Sequence, residues 1–382
     1  MALCSKSWTD INIDLSTKTI RHCCKAQGEQ YKTLSESFIN SSPGVIQRRE
    51  QSKQGIKHAQ CNHCWKHEAK SSLSYRDIHN DPTLDYSKTD EELISFIEIK
   101  FDNVCNLGCV YCYEIESSTI AKEKNIEPPF TKFDPNDVDI VVDYIKKILT
   151  KSRKQALNIN ILGGEPTLSK GYHQFIERLI KTHSESTDIR MITTSNGNMS
   201  EQVMSRLFGY MEKTKWQWVW GFSGEATGKV FEQIRHGSSW QQWNNNLNQF
   251  AEHDRTAVIS FNPTINLLSV KQFPNYIEHI TKIKKPYSIN PNFVLHPLEL
   301  SIARVPKSFK KYIDQAKKIF KDNCEHCVSQ KEVFKWFETL EKTIGNEDLS
   351  ENELQSYLKD LNSRKQNFDA ELLTAQTINN TL

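Results

Sequence analysis

From about residue 93 the chain alternates short apolar runs with longer stretches of helical spacing. The runs ISFIEIKF, NINIL, IRMITTS and WQWVWGF, then TAVISFNPTIN and SINPNFVLH, have the length and β-branched or aromatic content of strands. Between them VDIVVDYIKKIL, YHQFIERLIKTH, EQVMSRLFGYM and WQQWNNNLNQFAEH repeat their apolar residues at helical spacing, so each presents one apolar face. That alternation predicts an α/β fold in which helices cover a parallel sheet. About six strand–helix repeats are visible, fewer than the eight that close a barrel. The expected architecture is therefore a partial (β/α)6 TIM-like barrel with an appendage at each end. In front, residues 1–90 are polar and irregular, with turn-rich NSSPG at 40–44 and HNDPT at 79–83 around two short strands, INIDL and TIRHC. Such a segment holds little core of its own, and metal crosslinks would supply what burial does not. Behind Pro306, YIDQAKKIF, KEVFKWFETLEKTI and ENELQSYLKDL read as helices, ending in a frayed TAQTINNTL. The expected divisions are 1–90, a barrel over 91–305 and a helical extension over 306–382.

Composition narrows the partners. At 382 residues the chain suits one large domain with an appendage, or two domains. Lys and Arg number 49 against 47 Asp and Glu, so no global field points to nucleic acid or an anionic membrane. The start, MALCSKSWTD, has no charged head before an apolar run, and no stretch approaches the ~18 apolar residues that span a bilayer. A cytoplasmic protein is expected. There, ten cysteines do not read as structural disulfides, and metal ligation or redox chemistry becomes the leading account of them.

The cysteines fall in groups. Cys105, Cys109 and Cys112 lie in FDNVCNLGCVYCYE with the spacing C-x3-C-x2-C, just past the first predicted barrel strand. Parallel α/β sheets place their ligands at such strand ends. Three thiolates are one short of a closed tetrahedral site. A [4Fe-4S] cluster on three cysteines keeps one iron open, whereas zinc would need a distant fourth ligand. On spacing alone both metals stay open.

The same stretch, with Tyr111 before the last cysteine, resembles the signature of the radical S-adenosylmethionine superfamily. NINILGGEPTL strengthens the resemblance, since Gly163, Gly164, Glu165 and Pro166 look like that superfamily's GGEP motif. Glycines there let backbone approach the methionine ammonium, and carbonyls with Glu165 offer acceptors to a cation. TTSNG at 193–197 and WGFSGEATG at 220–228 follow the next two strands, so the resemblance implicates Ser195, Asn196 and Ser223 in holding ribose and carboxylate. Plain turns or helix caps fit the same residues. Arg235 and Asn262 lie in stretches that also look familiar, and both can point inward.

What the resemblance implies is a radical enzyme. One open iron would chelate S-adenosylmethionine, an electron would cleave it, and the resulting 5′-deoxyadenosyl radical would take a hydrogen from substrate. A flavodoxin or ferredoxin would supply the electron, and the protein would aim the radical and exclude water. The front segment, with CSKSW, RHCCKA and CNHCWKHEAKSSLSYR, resembles the auxiliary-cluster modules called twitch and SPASM. It stands before the barrel, as in phage and bacterial-type members. Ser7 replaces the proline that commonly precedes the tryptophan. A second [4Fe-4S] cluster would use Cys4, Cys61, Cys64 and one of Cys23 or Cys24, because adjacent strand residues face opposite ways. A four-thiolate zinc site fits the same spacing, and His63 or His67 could stand in. Cys324 and Cys327 form a lone CxxC in the tail, read as inert or accessory. The substrate expected is a peptide or protein. A small molecule such as a nucleotide or sugar, and a zinc-stapled binding protein without catalysis, are the alternatives.

Overall fold

A computed structural model describes residues 3–69, 74–127, 134–152, 155–347 and 351–363. The protein is α/β with mostly parallel strand pairing, as the alternation of runs implies. It divides into two compact units: Met1–Asn103 with Pro129–Ile192 and Phe208–Gln217, and Val104–Pro128 with Thr193–Leu207 and Trp218–Leu382.

In the first unit, β1 (Asp10–Asp14), β2 (Thr19–Arg21) and β3 (Glu29–Gln30) form an antiparallel ribbon. β1 then pairs in parallel with β4 (Phe96–Lys100), and β4 with β5 (Leu157–Leu162). The front segment thus gains its core by lending a strand to the sheet. β1, β4 and β5 alternate apolar and polar residues. Ile11, Ile13, Ile97, Ile99, Ile159 and Ile161 point one way and are at most 1 % exposed, and the residues between them are polar or charged save for Phe96 and the terminal leucines. Parallel strands covered on both faces read as continuous apolar runs, so this alternation marks one face as something other than core. Helix Pro135–Leu149 is started by Asp134, whose side chain accepts from Asn136 N, with proline in the first turn, where no amide is needed. Helix Lys170–His183 is capped by Ser169 through Tyr172 N. Both bury a one-sided apolar stripe, including Val138, Val141 and Ile145 on one and Phe175, Ile176 and Leu179 on the other. β6 (Ile189–Ser195) follows the second helix.

In the second unit β7 (Gln217–Ser223), β8 (Thr256–Asn262) and β10 (Tyr287–Ile289) pair in parallel, and β9 (Thr264–Ile265) pairs with β11 (Asn292–Phe293). Trp218 and Trp220 stack in parallel planes and are fully buried with Trp243 and Phe250, so the tryptophan-rich strand is core. The tail forms helices Lys310–Asn323, Gln330–Thr343 and Glu351–Ser363 where the periodicity places them. Its frayed end, TAQTINNTL, lies outside the described residues. Among the described residues no helix is long and apolar enough to cross a membrane.

Candidate functional site

The loop carrying Cys105, Cys109 and Cys112 has no regular structure and is fixed by its neighbours in the second unit. Ser118 Oγ accepts from Cys105 N at 3.1 Å, and Thr119 Oγ1 donates to Cys105 O at 2.8 Å. Gly108 N and Val110 N donate to His236 O and Ile234 O, both at 2.9 Å, in a ladder-like pairing that no strand assignment contains. Tyr357 of the last described helix donates its hydroxyl to Val110 O. All three thiols are half-buried. Burial pushes Cys109 and Cys112 up, Cys112 to about 12; Cys112 and Cys105 raise Cys109 further, and Cys105 raises Cys112. The bare thiols therefore hold their protons, and cationic metal is what makes such a cluster anionic.

Behind Cys109 lies a buried charge pair. Arg235 Nη2 meets Glu225 Oε2 at 2.8 Å, with Arg235 4 % and Glu225 0 % exposed. Arg235 Nη1 reaches within 4.0 Å of Cys109 Sγ, and its Nε is buried with no partner. Tyr111 Oη donates to both Glu225 oxygens at 3.2 Å, and its ring faces the guanidinium. Burial pulls Arg235 down, but the charges of Glu225, Tyr111 and Cys109 outweigh it and hold the guanidinium well above its ordinary value. The site thus keeps a positive charge beside the Cys109 thiol. Donor chemistry fits an anionic iron–sulfur cluster: three thiols, a buried cation and an unspent N–H.

The polar strand ends sort themselves among these parts. Asn196 Nδ2 donates to Asn106 Oδ1 at 2.7 Å and Asn106 Nδ2 to Asn198 O at 3.3 Å, which ties the loop to the TTSNG turn. Asn198 Oδ1 accepts from Ser239 N at 2.7 Å, while its buried Nδ2 has no partner. Ser195 Oγ accepts from Gly197 N at 3.0 Å, a turn-stabilising bond. Ser223 O accepts from Trp243 Nε1 at 3.1 Å, and Asn262 Nδ2 donates to Ser260 O at 3.2 Å. Glu225, Asn106 and Asn198 escaped the sequence reading. No spacing announces a carboxylate ten positions before its arginine, nor an amide whose partner lies about ninety residues away.

In the first unit, Gly163 takes φ 145°, and a Cβ there would stand 2.9 Å from Asp102 O, so only glycine fits. Glu165, 1 % exposed, accepts from Thr167 N at 3.2 Å and Thr167 Oγ1 at 2.7 Å. Its carboxylate holds the Pro166–Leu168 turn. Ser169 Oγ donates to Asp102 Oδ2 at 2.6 Å, joining the ends of β4 and β5.

The front cysteines converge on a second place in that unit. A partly open cleft of about 510 Å³ is lined by Cys4, Cys23, Cys61, Cys64, Arg48 and Arg76, among others. Cys24 does not line it. The pair turns at Cys23, which takes φ 155°, and Cys24 is bonded instead by Cys23 and Tyr75, the first of these bringing it down to about 6. Burial raises Cys4 to about 11 and lifts Cys61 as well. Arg48 is 2 % exposed and donates to Ser7 Oγ at 3.2 Å, Gln60 Oε1 at 3.0 Å and His22 O at 3.2 Å. No carboxylate lies in ion-pair contact with it among the described residues, and its charge faces Cys61 and Cys23. Glu68, Ser74 and Arg76 form a brace: Arg76 grips Glu68 at 3.0 and 2.7 Å, and Ser74 Oγ donates to Glu68 at 2.8 Å. Ser7 thus takes up the guanidinium of Arg48. His63 lines the cleft, its ring centred 4.8 Å from that of His67.

The tail pair makes a turn. Cys327 N donates to Cys324 O at 3.0 Å, and the buried Cys327 bridges to Tyr287 at the edge of β10. Among the described residues no group of three or more His, Cys, Asp and Glu is gathered closely enough to hold one metal ion.

Residues 99–279 match the model of the Radical SAM superfamily. That span of the chain carries a Radical SAM superfamily domain. GTP 3′,8-cyclase of Helicobacter pylori (strain ATCC 700392 / 26695) is 24 % identical over 115 residues, 30 % of this chain and 31 % of that protein. The chain spans about a third of the length of the curated relatives it matches. Among solved structures, SuiB of Streptococcus suis bound to S-adenosylmethionine aligns with a TM-score of 0.43 and 12 % identity, covering 74 % of this chain and 54 % of that one. The histidine-tagged anSMEcpe with bound AdoMet aligns at 0.42 and 14 %, covering 60 % and 62 %.

Proposed function

We propose that the protein holds a [4Fe-4S] cluster on Cys105, Cys109 and Cys112 and uses it on S-adenosylmethionine to abstract hydrogen from a substrate. The observation that carries this reading is the three-thiol loop backed by the buried Arg235, within a Radical SAM domain. When bound, such a cluster passes one electron to S-adenosylmethionine, giving methionine and a 5′-deoxyadenosyl radical that takes the hydrogen atom. Glu225 and Tyr111 fix Arg235, whose charge offsets the negative charge gathered at Cys109. Asn106 and Asn196 hold the loop in register. Gly163, Gly164 and the turn braced by Glu165 and Pro166 would offer backbone carbonyls to the methionine ammonium, with Ser195, Asn196 and Ser223 toward the rest of the cofactor. The (β/α)6 partial barrel would span 91–305, between the front segment 1–90 and the extension 306–382.

The front cleft would hold a second [4Fe-4S] cluster on Cys4, Cys23, Cys61 and Cys64, in a twitch or SPASM-like segment of phage and bacterial type. Arg48 supports it, being a buried cation on which Cys61 and Cys23 act more strongly than the carboxylate of Glu29. Zinc is the second reading of that site, and iron and sulfide content separates the two. A peptide or protein is the substrate we favour. The GTP 3′,8-cyclase match favours a nucleotide as the second reading. Flavodoxin or ferredoxin would supply electrons, in the cytoplasm. Anaerobic reconstitution, dithionite and assay of 5′-deoxyadenosine test the proposal: product is expected, and its absence in fully loaded protein would overturn it.

A further inference from the structure

The tail carries two cysteines that neither metal site uses. Cys324 and Cys327 lie in NCEHCVSQ, between helices Lys310–Asn323 and Gln330–Thr343. Cys327 N donates to Cys324 O at 3.0 Å, so the stretch closes a turn. Such a turn brings its first and fourth Cα atoms within ~7 Å, about the longest span a disulfide bridges. Neighbouring groups hold the turn in place. Tyr287 N donates to His326 O at 3.0 Å and Val328 N to Tyr287 O at 2.7 Å, which seats the turn as an extra edge beside β10. Gln330 Nε2 donates to Cys324 O at 2.8 Å, and Ser329 Oγ accepts from Ile289 N at 3.0 Å. Burial raises the Cys327 thiol and the Tyr287 hydroxyl. Cys324 adds to the first, and both cysteines add to the second, so the two sulfurs share one small volume beside the ring.

A pair of this kind has three uses. A metal site is not built here, since among the described residues no group of three or more His, Cys, Asp and Glu gathers closely enough to hold one ion, and His326 Nε2 meets Glu325 at 3.2 Å. A structural staple gains little, because a bond closing so short a loop removes little entropy from the unfolded chain. Thiol–disulfide exchange asks for something different: one thiol that an incoming disulfide can reach, and a second held close but shielded. Cys324 is half-buried at the helix end, whereas Cys327 is 5 % exposed. Glu325 and Val328 around the turn are both exposed, Val328 at 64 %, which leaves the approach open.

We propose that Cys324 and Cys327 form a redox-active dithiol that exchanges with a low-molecular-weight disulfide of the glutathione kind. The Cys324 thiolate attacks one sulfur of the reagent, forming a mixed disulfide and releasing one thiol. Cys327 gives up its proton and attacks the Cys324 sulfur, closing the intramolecular bond and releasing the second thiol. The pair loses two electrons and two protons, and the reagent takes up both. The site does not depend on either iron–sulfur reading.

The test is incubation of the full, anaerobically reconstituted chain with mixtures of oxidised and reduced glutathione, followed by acid quench, alkylation and peptide mass spectrometry. Cleavage after Lys321 and Lys331 releases the peptide 322–331, which holds both of these cysteines and no other. Wild type is expected to yield that peptide unalkylated and two hydrogens lighter, with double alkylation restored by dithiothreitol. Cys327→Ser is expected to retain a glutathione adduct on Cys324. Cys324→Ser is expected to leave Cys327 about tenfold slower to react than Cys324 is in the first variant. A wild-type peptide that stays doubly alkylated at every glutathione ratio, or a Cys327 that takes the adduct as fast as Cys324, overturns the inference.

Discussion

The two cysteine groups differ in how the protein prepares for their charge. In the loop at 105–112 three thiols share one arginine, and that arginine is itself locked by Glu225. In the front cleft four thiols line the wall, and Arg48 faces Cys61 and Cys23 with no carboxylate in ion-pair contact among the described residues. The partnered Arg235 is held well above its ordinary value, whereas burial pulls Arg48 down, so the two sites hold their cations by different means. In the proposed reading four thiolates would close the front metal site and three would leave the loop's site short of a ligand, where a small molecule would complete it.

The sharpest way to break the contrast is to remove one thiol from each group. Cys109→Ala is expected to abolish 5′-deoxyadenosine formation while about half the iron remains, and Cys64→Ser to lose the other half and lower the melting temperature. If either variant loses all iron, the groups are not independent. Next comes the ion pair. Glu225→Gln strands Arg235 in the interior and is expected to cost about 3–5 kcal/mol in denaturant unfolding. A cost below about 1 kcal/mol would mean water or another group already neutralises the arginine. Iron content then sharpens the front site. Cys23→Ser should lower it and Cys24→Ser should not, since only Cys23 lines the cleft.

The smallest effect concerns Glu98, which the register sets between Asn12 of β1 and Asn160 of β5. Burial, against the hydrogen bond from Asn160, pushes Glu98 from its ordinary 4.5 up to about 7. The folded protein therefore keeps a proton that the unfolded chain has released, between those two values. Stability should fall as pH rises through that window, by up to about 3 kcal/mol, and Glu98→Gln should flatten this part of the profile. An unchanged slope in thermal melts from pH 5 to 8 would show that Glu98 titrates normally. Asp10 and Arg21, which face the same carboxyl, stay as they are in this variant.

Much of the scaffold was legible because periodicity is a direct imprint of burial. The runs FIEIK and LNINIL were legible as strands from their length and β-branched content, and their facing emerged only with the structure. The cysteine loop was legible by spacing. The charge pair was not, since Glu225 lies before helix Gly228–Ile234 and Arg235 caps its end, a pairing that no short-range spacing announces. The front segment was underestimated for a related reason. INIDL looks short and isolated, and its burial comes from pairing with a strand more than eighty residues ahead. Glu98 illustrates the remaining gap: its position in a strand was clear, but Asn12 and Asn160 come beside it only through register.

The account depends on a cluster with one site open to a small molecule. Electron paramagnetic resonance of the reconstituted, dithionite-reduced protein, recorded with and without S-adenosylmethionine, tests this most directly. A change in the reduced-cluster signal on addition, absent in Cys109→Ala, is expected. An identical signal with and without the metabolite, in protein carrying its full iron, would contradict it.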